Sequence, residues 1–285
     1  MDRSEILERE RARALPTAIA TFAGIALLIV AIAVSQGGIV GKSTSLILAD
    51  FPDDRDSLLL GAILQAAGMA LLAVPLFYLF QAASARSEQM RHALIGVTVA
   101  GPLFLALAFV LQWFAYDAAS KDFLAPGAGT GIPVGEFADD LLQDQLAFDL
   151  FQGLTFAGTL GLVVGVVYTS LHAMRVGLLT RFWGTLGMAL GVSLLFLGLL
   201  GVLLFFAVIG LMIAGWWPGG RAPAWDAGKA VPWPAPGQQE PEDPDRPADP
   251  DEFAGTIEGS GSELGDSPAD EPSAPDAPRK RKRRS

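Results

Sequence analysis

Long apolar runs recur along the chain as far as Trp217, and short polar segments separate them. The runs at 15–35, 58–80, 93–116 and 153–174 contain no Asp, Glu, Lys or Arg. A helix of about 20 apolar residues crosses the roughly 30 Å hydrocarbon layer of a bilayer. The pattern therefore predicts four transmembrane helices in this part of the chain.

The last apolar stretch, 184–217, is too long for a single span. As one helix it would be about 51 Å long, because each residue adds 1.5 Å. Division near Gly198 and Gly201 instead produces two short spans, 184–198 and 201–217, joined by a tight turn. The predicted fold is an all-α, polytopic transmembrane helix bundle, with six spans favoured and five as the alternative.

The segment 117–152 is the longest polar connection between the spans, and we expect it to form an exterior loop. Its first half is rich in glycine and proline. Its second half has an apolar residue at every fourth position, at Ala138, Leu142, Leu146 and Leu150. That spacing predicts a short helix that lies on the bilayer or on the bundle.

Composition changes after Trp217, which divides the chain into a bundle, 1–217, and a tail, 218–285. The tail is rich in Pro, Gly, Ser, Asp and Glu, and such a segment cannot bury enough apolar surface to offset chain entropy. It is therefore predicted to be disordered. The tail ends in a run of basic residues, Arg279, Lys280, Arg281, Lys282, Arg283 and Arg284. This run has the charge to contact anionic lipid, and the alternative is a solvated end that only fixes orientation; we expect no specific nucleic acid.

Overall composition agrees with a membrane protein. Hydrophobic residues make up 51% of the chain and charged residues 18%, which does not suit a water-soluble globule. The net charge of -10 resides mainly in loops and tail, so it does not describe one binding face. The absence of cysteine excludes disulfides, thiolate metal sites and cysteine nucleophiles.

Basic residues are distributed unequally between the two sides of a six-span bundle. One side would carry the tail, the N-terminal arginines, Arg86, Arg91, Arg175 and Arg181, and the other only Lys42, Arg55 and Lys121. Because basic residues concentrate in the cytoplasm, we predict a multi-pass plasma-membrane protein with cytoplasmic N- and C-termini. Five spans would place the tail outside. A cleavable signal peptide is the alternative for the first run, although its charged leader favours an uncleaved span.

Two motifs that could carry chemistry are incomplete. Gly41-Lys42-Ser43-Thr44 matches the end of a nucleotide-binding loop, but Gln36 stands where that motif requires glycine. His92 and His172 are the only histidines, and no carboxylate lies within the adjoining spans to complete a metal site. No catalytic, cofactor-binding or metal-binding residue is therefore predicted, and an enzyme is the less favoured interpretation.

Polar and small residues within the spans predict how the helices pack. The polar ones could line a solute path or could hydrogen-bond neighbouring helices, at about 0.6–2 kcal/mol each, and we favour the second role. They are Gln65, Thr98, Gln112, Thr155, Thr159 and Tyr168. Two glycine pairs have the spacing that lets helix backbones approach closely. These are Gly161 with Gly165 and Gly187 with Gly191.

The segment RFWGTLG at 181–187, followed by an apolar stretch and by WWPGGR at 216–221, resembles a known pattern. It is similar to the closing section of uncharacterised bacterial multipass membrane proteins, over the last third of the membrane region. The resemblance implies a six-helix bundle in a bacterial inner membrane, and it transfers no catalytic residue to this chain.

A charge-free bundle joined to a tail of mixed charge favours a non-enzymatic scaffold or interaction protein. The bundle would be anchored in the lipid bilayer, and the tail would contact a protein partner. The alternative is a small-solute transporter or channel. That function would need a water-accessible path lined by Gln65, Gln112 or Thr98.

Overall fold

Helices are the regular elements throughout the part of the chain that the computed structural model describes, residues 3–39, 41–129, 131–218 and 220–233. In chain order they are α1 (Arg3–Ile39), α2 (Thr44–Ser84), α3 (Leu94–Phe123), α4 (Val134–Gln143), α5 (Leu146–Arg175), α6 (Arg181–Leu197), α7 (Leu199–Ala214) and α8 (Pro223–Ala227). Helices α1, α2, α3 and α5 are long and apolar enough to cross a membrane. This all-helical architecture confirms the all-α prediction, and its four long apolar helices are compatible with a membrane protein.

Six helices form a closed ring in the order α1, α2, α3, α5, α6, α7 and back to α1, and α2 also contacts α5. Consecutive helices of the ring are antiparallel. We call the end at which α1 begins the arginine end, and the opposite end, which carries α4, the α4 end. Large apolar side chains fill the core of the bundle between these two ends. They include Leu76 of α2, Leu162 of α5 and Phe206 of α7, all of which are buried.

The helices extend well beyond the predicted apolar spans. Helix α2 begins at Thr44, where the Ser43 hydroxyl accepts a hydrogen bond from the Leu46 backbone N–H, a common helix-capping contact. The helix carries four aspartates, Asp50, Asp53, Asp54 and Asp56, before the predicted span 58–80. Likewise α3 continues to Phe123. The polar ends of these helices leave the hydrophobic span shorter than the helix itself.

The predicted exterior loop, 117–152, is largely helical. Its short amphipathic helix is present as α4, which buries Ala138 and Leu142 against the bundle. The predicted four-residue repeat, however, divides between two helices. The backbone turns at Gln145, whose ψ is 117°, so Leu146 and Leu150 belong to α5 and are exposed.

The stretch 184–217 forms two helices that meet at Gly198, with φ of 69° and ψ of -161°. A methyl group built at Gly187 would lie 2.5 Å from the Phe205 ring, and one at Gly201 would lie 2.9 Å from the Ser193 hydroxyl. In one straight helix Gly187 and Phe205 would be about 27 Å apart. Helices α6 and α7 are therefore an antiparallel hairpin.

Glycines bring α3 and α5 into backbone contact. A methyl group built at Gly161 would lie 3.0 Å from the Gly101 Cα, and one at Gly165 would lie 3.0 Å from the Thr98 Cα. On α6, a methyl group at Gly191 would lie 3.0 Å from a Val166 side-chain methyl. The glycine pairs predicted from spacing thus lie at tightly packed helix interfaces, as expected for residues without a Cβ.

The bundle continues past its predicted end at residue 217. Residues 220–233, which we call the strap, include α8 and pack on the arginine end, with Trp225 only 6% exposed. The composition of this segment predicted disorder, but its two tryptophans supply apolar area and N–H donors that can dock on the bundle. The rest of the predicted tail, with the terminal basic run, lies outside the described residues.

Candidate functional site

Two glutamines from the predicted spans meet in one pocket near the α4 end. Gln65 of α2 and Gln112 of α3 line a cavity of about 30 Å³. Its other walls are mainly aromatic, with Phe51, Trp113 and Tyr116 among them. We call this cavity the glutamine pocket.

Both carboxamides in the glutamine pocket lack a hydrogen-bond partner within the described part of the chain, and both side chains are only partly exposed. A carboxamide can donate two hydrogen bonds and accept two. Gln65 and Gln112 could therefore hold water or a small neutral solute that offers both donors and acceptors.

An ion-pair network lies next to the pocket wall formed by Trp113, toward the α4 end. Arg55 Nε lies 2.7 Å from Asp117 Oδ1, and Lys121 Nζ lies 2.6 Å from Asp117 Oδ2. The Arg55 guanidinium also stands 5.2 Å from the centre of the Trp113 ring, and Trp113 Nε1–H donates to the Arg55 carbonyl oxygen at 3.3 Å. These contacts join α2 to α3 and hold one wall of the glutamine pocket in place.

The other polar residues predicted from the spans do not join this pocket. The Thr98 hydroxyl donates to the Leu94 carbonyl oxygen of its own helix at 2.9 Å. The Tyr168 hydroxyl accepts from the Arg91 backbone N–H at 2.8 Å. The buried Thr155 hydroxyl has no hydrogen-bond partner among the described residues. Only Gln65 and Gln112 of the six are thus brought together.

The histidines occupy different environments. His172 is buried on α5 with its ring centre 4.4 Å from that of Tyr168, whereas His92 is exposed in the connection before α3. His172 Nδ1 and the neighbouring hydroxyls of Thr169 and Ser170 are buried without hydrogen-bond partners in the described structure. Among the described residues, no group of three or more His, Asp and Glu could hold a metal ion.

The segment Gly41-Lys42-Ser43-Thr44, which resembles the end of a nucleotide-binding loop, leads into α2. Ser43 caps the helix, and Lys42 Nζ lies 2.8 Å from Asp50 and 3.6 Å from Asp54. The hydrogen bond to Asp50 raises the pKa of Lys42 above its usual value, with help from the charge of Asp54. In this structure Lys42 therefore forms part of an ion-pair network at the α4 end.

A buried ion pair at the arginine end was not predicted from the sequence. Arg86 and Glu10 form a bidentate pair, with the second contact at 2.8 Å, and the Arg86 side chain is fully buried. Arg86 Nε also donates to the Ala224 carbonyl oxygen at 3.2 Å, and its guanidinium lies 6.0 Å from the Trp225 ring centre. The pair therefore joins α1, α2 and the strap. No feature of the sequence distinguishes Glu10 from the other acidic residues of the N-terminal segment.

The strap is fastened to the connection between α5 and α6. Trp225 Nε1–H donates to the Leu178 carbonyl oxygen and Trp233 Nε1–H to the Leu179 carbonyl oxygen, each at 2.9 Å. The Val231 backbone N–H donates to the Val176 carbonyl oxygen at 3.0 Å. These bonds satisfy carbonyl groups of the α5–α6 connection, which would otherwise lack partners in a helix.

Comparison of the chain with protein-family models gave no match, and neither did comparison with curated proteins or with solved structures. Function is therefore inferred from the contacts described above. The similarity to bacterial multipass membrane proteins stays a prediction.

Proposed function

We propose that this protein is a non-enzymatic integral membrane protein that acts as a scaffold or interaction protein. The observation that carries the proposal is the strap, which fastens the start of the C-terminal segment to the helix bundle. The bundle is the anchor in the lipid bilayer. The segment beyond residue 233 is the part that contacts a protein partner, and its terminal basic run contacts anionic lipid.

The position of the strap supports this division of roles. It touches α2 through Arg86, the α5–α6 connection through Trp225 and Trp233, and the start of α1, where Gly228 packs against Leu7. A segment that served only as a flexible end would need no such attachment. The strap instead fixes the chain, as far as Trp233, at one defined place on the arginine end.

We further propose six spans, with the arginine end in the cytoplasm of a bacterial cell. The hairpin of α6 and α7 supports this count, because it returns the chain to the arginine end. Charge supports the orientation, since basic residues concentrate on the cytoplasmic side. The described basic residues at the arginine end of the ring include Arg86, Arg91, Arg175, Arg181 and Arg221, while Lys42, Arg55 and Lys121 lie at the α4 end.

The hairpin helices are short for full spans. With 17 and 16 residues they are about 24–26 Å long, against roughly 30 Å of hydrocarbon. Their turn exposes Phe196 (81%) and Leu200 (79%), so it suits the apolar layer better than open water. Local thinning of the bilayer accommodates such a mismatch at modest cost.

Cysteine labelling tests the topology, and the chain has no native cysteine to interfere. We would introduce Ser4→Cys, Ala128→Cys and Ser273→Cys singly and treat intact cells with a membrane-impermeant maleimide. Only Ala128→Cys should react, and permeabilising the inner membrane should expose the other two. Reaction of Ser273→Cys in intact cells, with Ser4→Cys protected, would mean five spans and would contradict the proposal.

Copurification tests the interaction role. The full chain and a variant that ends at residue 233, and so retains the strap, would be purified from native membranes after crosslinking. We expect the truncation to lose a protein partner while its yield and helix content stay the same. An identical set of crosslinked proteins in both samples would contradict a contact made by the C-terminal segment.

A second candidate, a transporter or channel for a small neutral solute, is favoured by the convergence of Gln65 and Gln112. Its test is glycerol flux into proteoliposomes, measured by light scattering after an osmotic jump. Gln112→Leu should slow the flux, whereas Gln152→Leu, outside the glutamine pocket on α5, should not. Flux equal to that of protein-free liposomes would exclude glycerol transport.

A further inference from the structure

A cleft between α1 and α2 opens at the arginine end and has a volume of about 30 Å³. Its polar lining comes from Arg9, Glu10 and Arg13 of α1 and from Gln81 of α2. The remaining walls are mostly small or apolar, with Ala82 among them. We call this cleft the arginine cleft.

Two guanidinium groups converge in the arginine cleft on one neutral oxygen. Arg9 Nη2 donates to Gln81 Oε1 at 2.7 Å, and Arg13 Nη1 donates to the same atom at 3.2 Å. The two arginines stand one turn apart on α1, a spacing at which like charges repel. Each guanidinium has five N–H groups in a planar fork that suits phosphate oxygens. An anion bound beside Gln81 would therefore relieve the repulsion and accept further hydrogen bonds.

The acidic residue that lines the arginine cleft does not cancel these charges. Both carboxylate oxygens of Glu10 are engaged by the buried guanidinium of Arg86. That pair is neutral by itself. Glu10 is therefore not the residue that neutralises Arg9 or Arg13.

The depth of the arginine cleft matches that of lipid phosphates. Arg13 stands just before the predicted apolar run 15–35, and Gln81 directly follows the run 58–80. Both residues therefore lie at the boundary between the hydrocarbon layer and the headgroups. Basic pockets between transmembrane helices on the cytoplasmic side suit anionic headgroups.

We propose that the arginine cleft binds the phosphate group of an anionic phospholipid headgroup through Arg9 and Arg13. The site rests on the membrane placement proposed above, but not on the role of the C-terminal segment. The cysteine-labelling experiment tests the placement separately, so failure of lipid binding in a correctly oriented bundle refutes only this site.

The experiment compares lipid binding by matched variants of the full chain in detergent, by native mass spectrometry with added phosphatidylglycerol or phosphatidylcholine. Arg13→Gln should weaken phosphatidylglycerol binding at least about fivefold, which corresponds to one cation near an anionic lipid. Arg11→Gln removes the same charge from α1, but Arg11 does not line the cleft. It should retain wild-type binding. Phosphatidylcholine should bind weakly to all three proteins.

A second variant addresses folding. Gln81→Glu keeps the size of the side chain and places a carboxylate between the two guanidiniums, where it would compete with a phosphate. It should therefore keep the melting temperature of the wild type or raise it, and it should lose phosphatidylglycerol binding. A Gln81→Glu protein that is stable and still binds this lipid at wild-type affinity would overturn the proposal.

Two further outcomes would also overturn it. Equal weakening by Arg11→Gln and Arg13→Gln would mean attraction by general surface charge and not by the arginine cleft. Displacement of phosphatidylglycerol by an equal concentration of inorganic phosphate would mean a site for the free anion and not for a lipid. Retention of the lipid under that challenge supports the lipid headgroup.

Discussion

The contact between α3 and α5 depends on Gly101, and Gly101→Ala should separate the two helices. A methyl group built at Gly101 would lie 2.6 Å from the Gly161 carbonyl carbon and closer still to the Leu162 backbone nitrogen. Both are backbone atoms, so no side chain can rotate away to make room. Relief therefore requires movement of a whole helix.

The size of the overlap sets the expected change in the free energy of unfolding. Ordinary carbon contacts begin near 3.4 Å, so the helices must separate locally by almost 1 Å. Overpacking of a well-packed core costs about 1–3 kcal/mol, and backbone displacement favours the upper end. Replacing glycine with alanine within a helix contributes about 1 kcal/mol in the opposite direction. We therefore expect Gly101→Ala to lower the free energy of unfolding by about 2 kcal/mol.

The assay is unfolding of the purified protein in mixed micelles by titration with SDS, followed by circular dichroism. The matched control is Gly96→Ala on the same helix, because a methyl group built there would have no atom within 4 Å. That control should be neutral or slightly stabilising. If both variants unfolded at the same SDS fraction as the wild type, backbone contact between α3 and α5 would be refuted.

Other predictions concern the hairpin and the strap. Gly187→Leu should reduce the folded yield in detergent, because its side chain would overlap the Phe205 ring. Gly153→Leu on α5 has open space and should leave the yield unchanged. Equal yields for the two variants would contradict close packing at Gly187. Gly177→Ala should release the strap, since Gly177 has φ of 81° and an added methyl would overlap the Val231 carbonyl group. Limited proteolysis should then cut within the strap, and a cleavage pattern like that of the wild type would count against this attachment.

The local pattern of apolar residues was sufficient to predict the helices. Runs such as 58–80 and 153–174 are long enough and apolar enough that any structure must bury their backbone polar groups in helical hydrogen bonds. The same reasoning divided 184–217, because one helix of that length has no place in a bilayer and Gly198 can adopt a positive φ. These conclusions depend on length and residue type alone.

Local pattern also identified residues whose partners it could not name. The spacing of Gly161 and Gly165 indicated a close helix contact, but only the fold shows that Gly101 and Thr98 of α3 face them. Gln65 and Gln112 were two of six polar residues in the spans, and the sequence did not indicate which of the six lie together. Their meeting depends on the antiparallel packing of α2 against α3, which brings together positions far apart in sequence.

The strap and the ion pair between Glu10 and Arg86 were decided by tertiary structure. By composition the strap resembles the rest of the segment 218–285, for which the sequence predicted disorder, because proline and glycine are frequent in both. It is ordered because Trp225 and Trp233 donate hydrogen bonds to carbonyl groups of the α5–α6 connection. Glu10 and Arg86 are each costly to bury alone and are tolerated together. Such pairings depend on the position of a partner distant in sequence, and no local periodicity encodes that position.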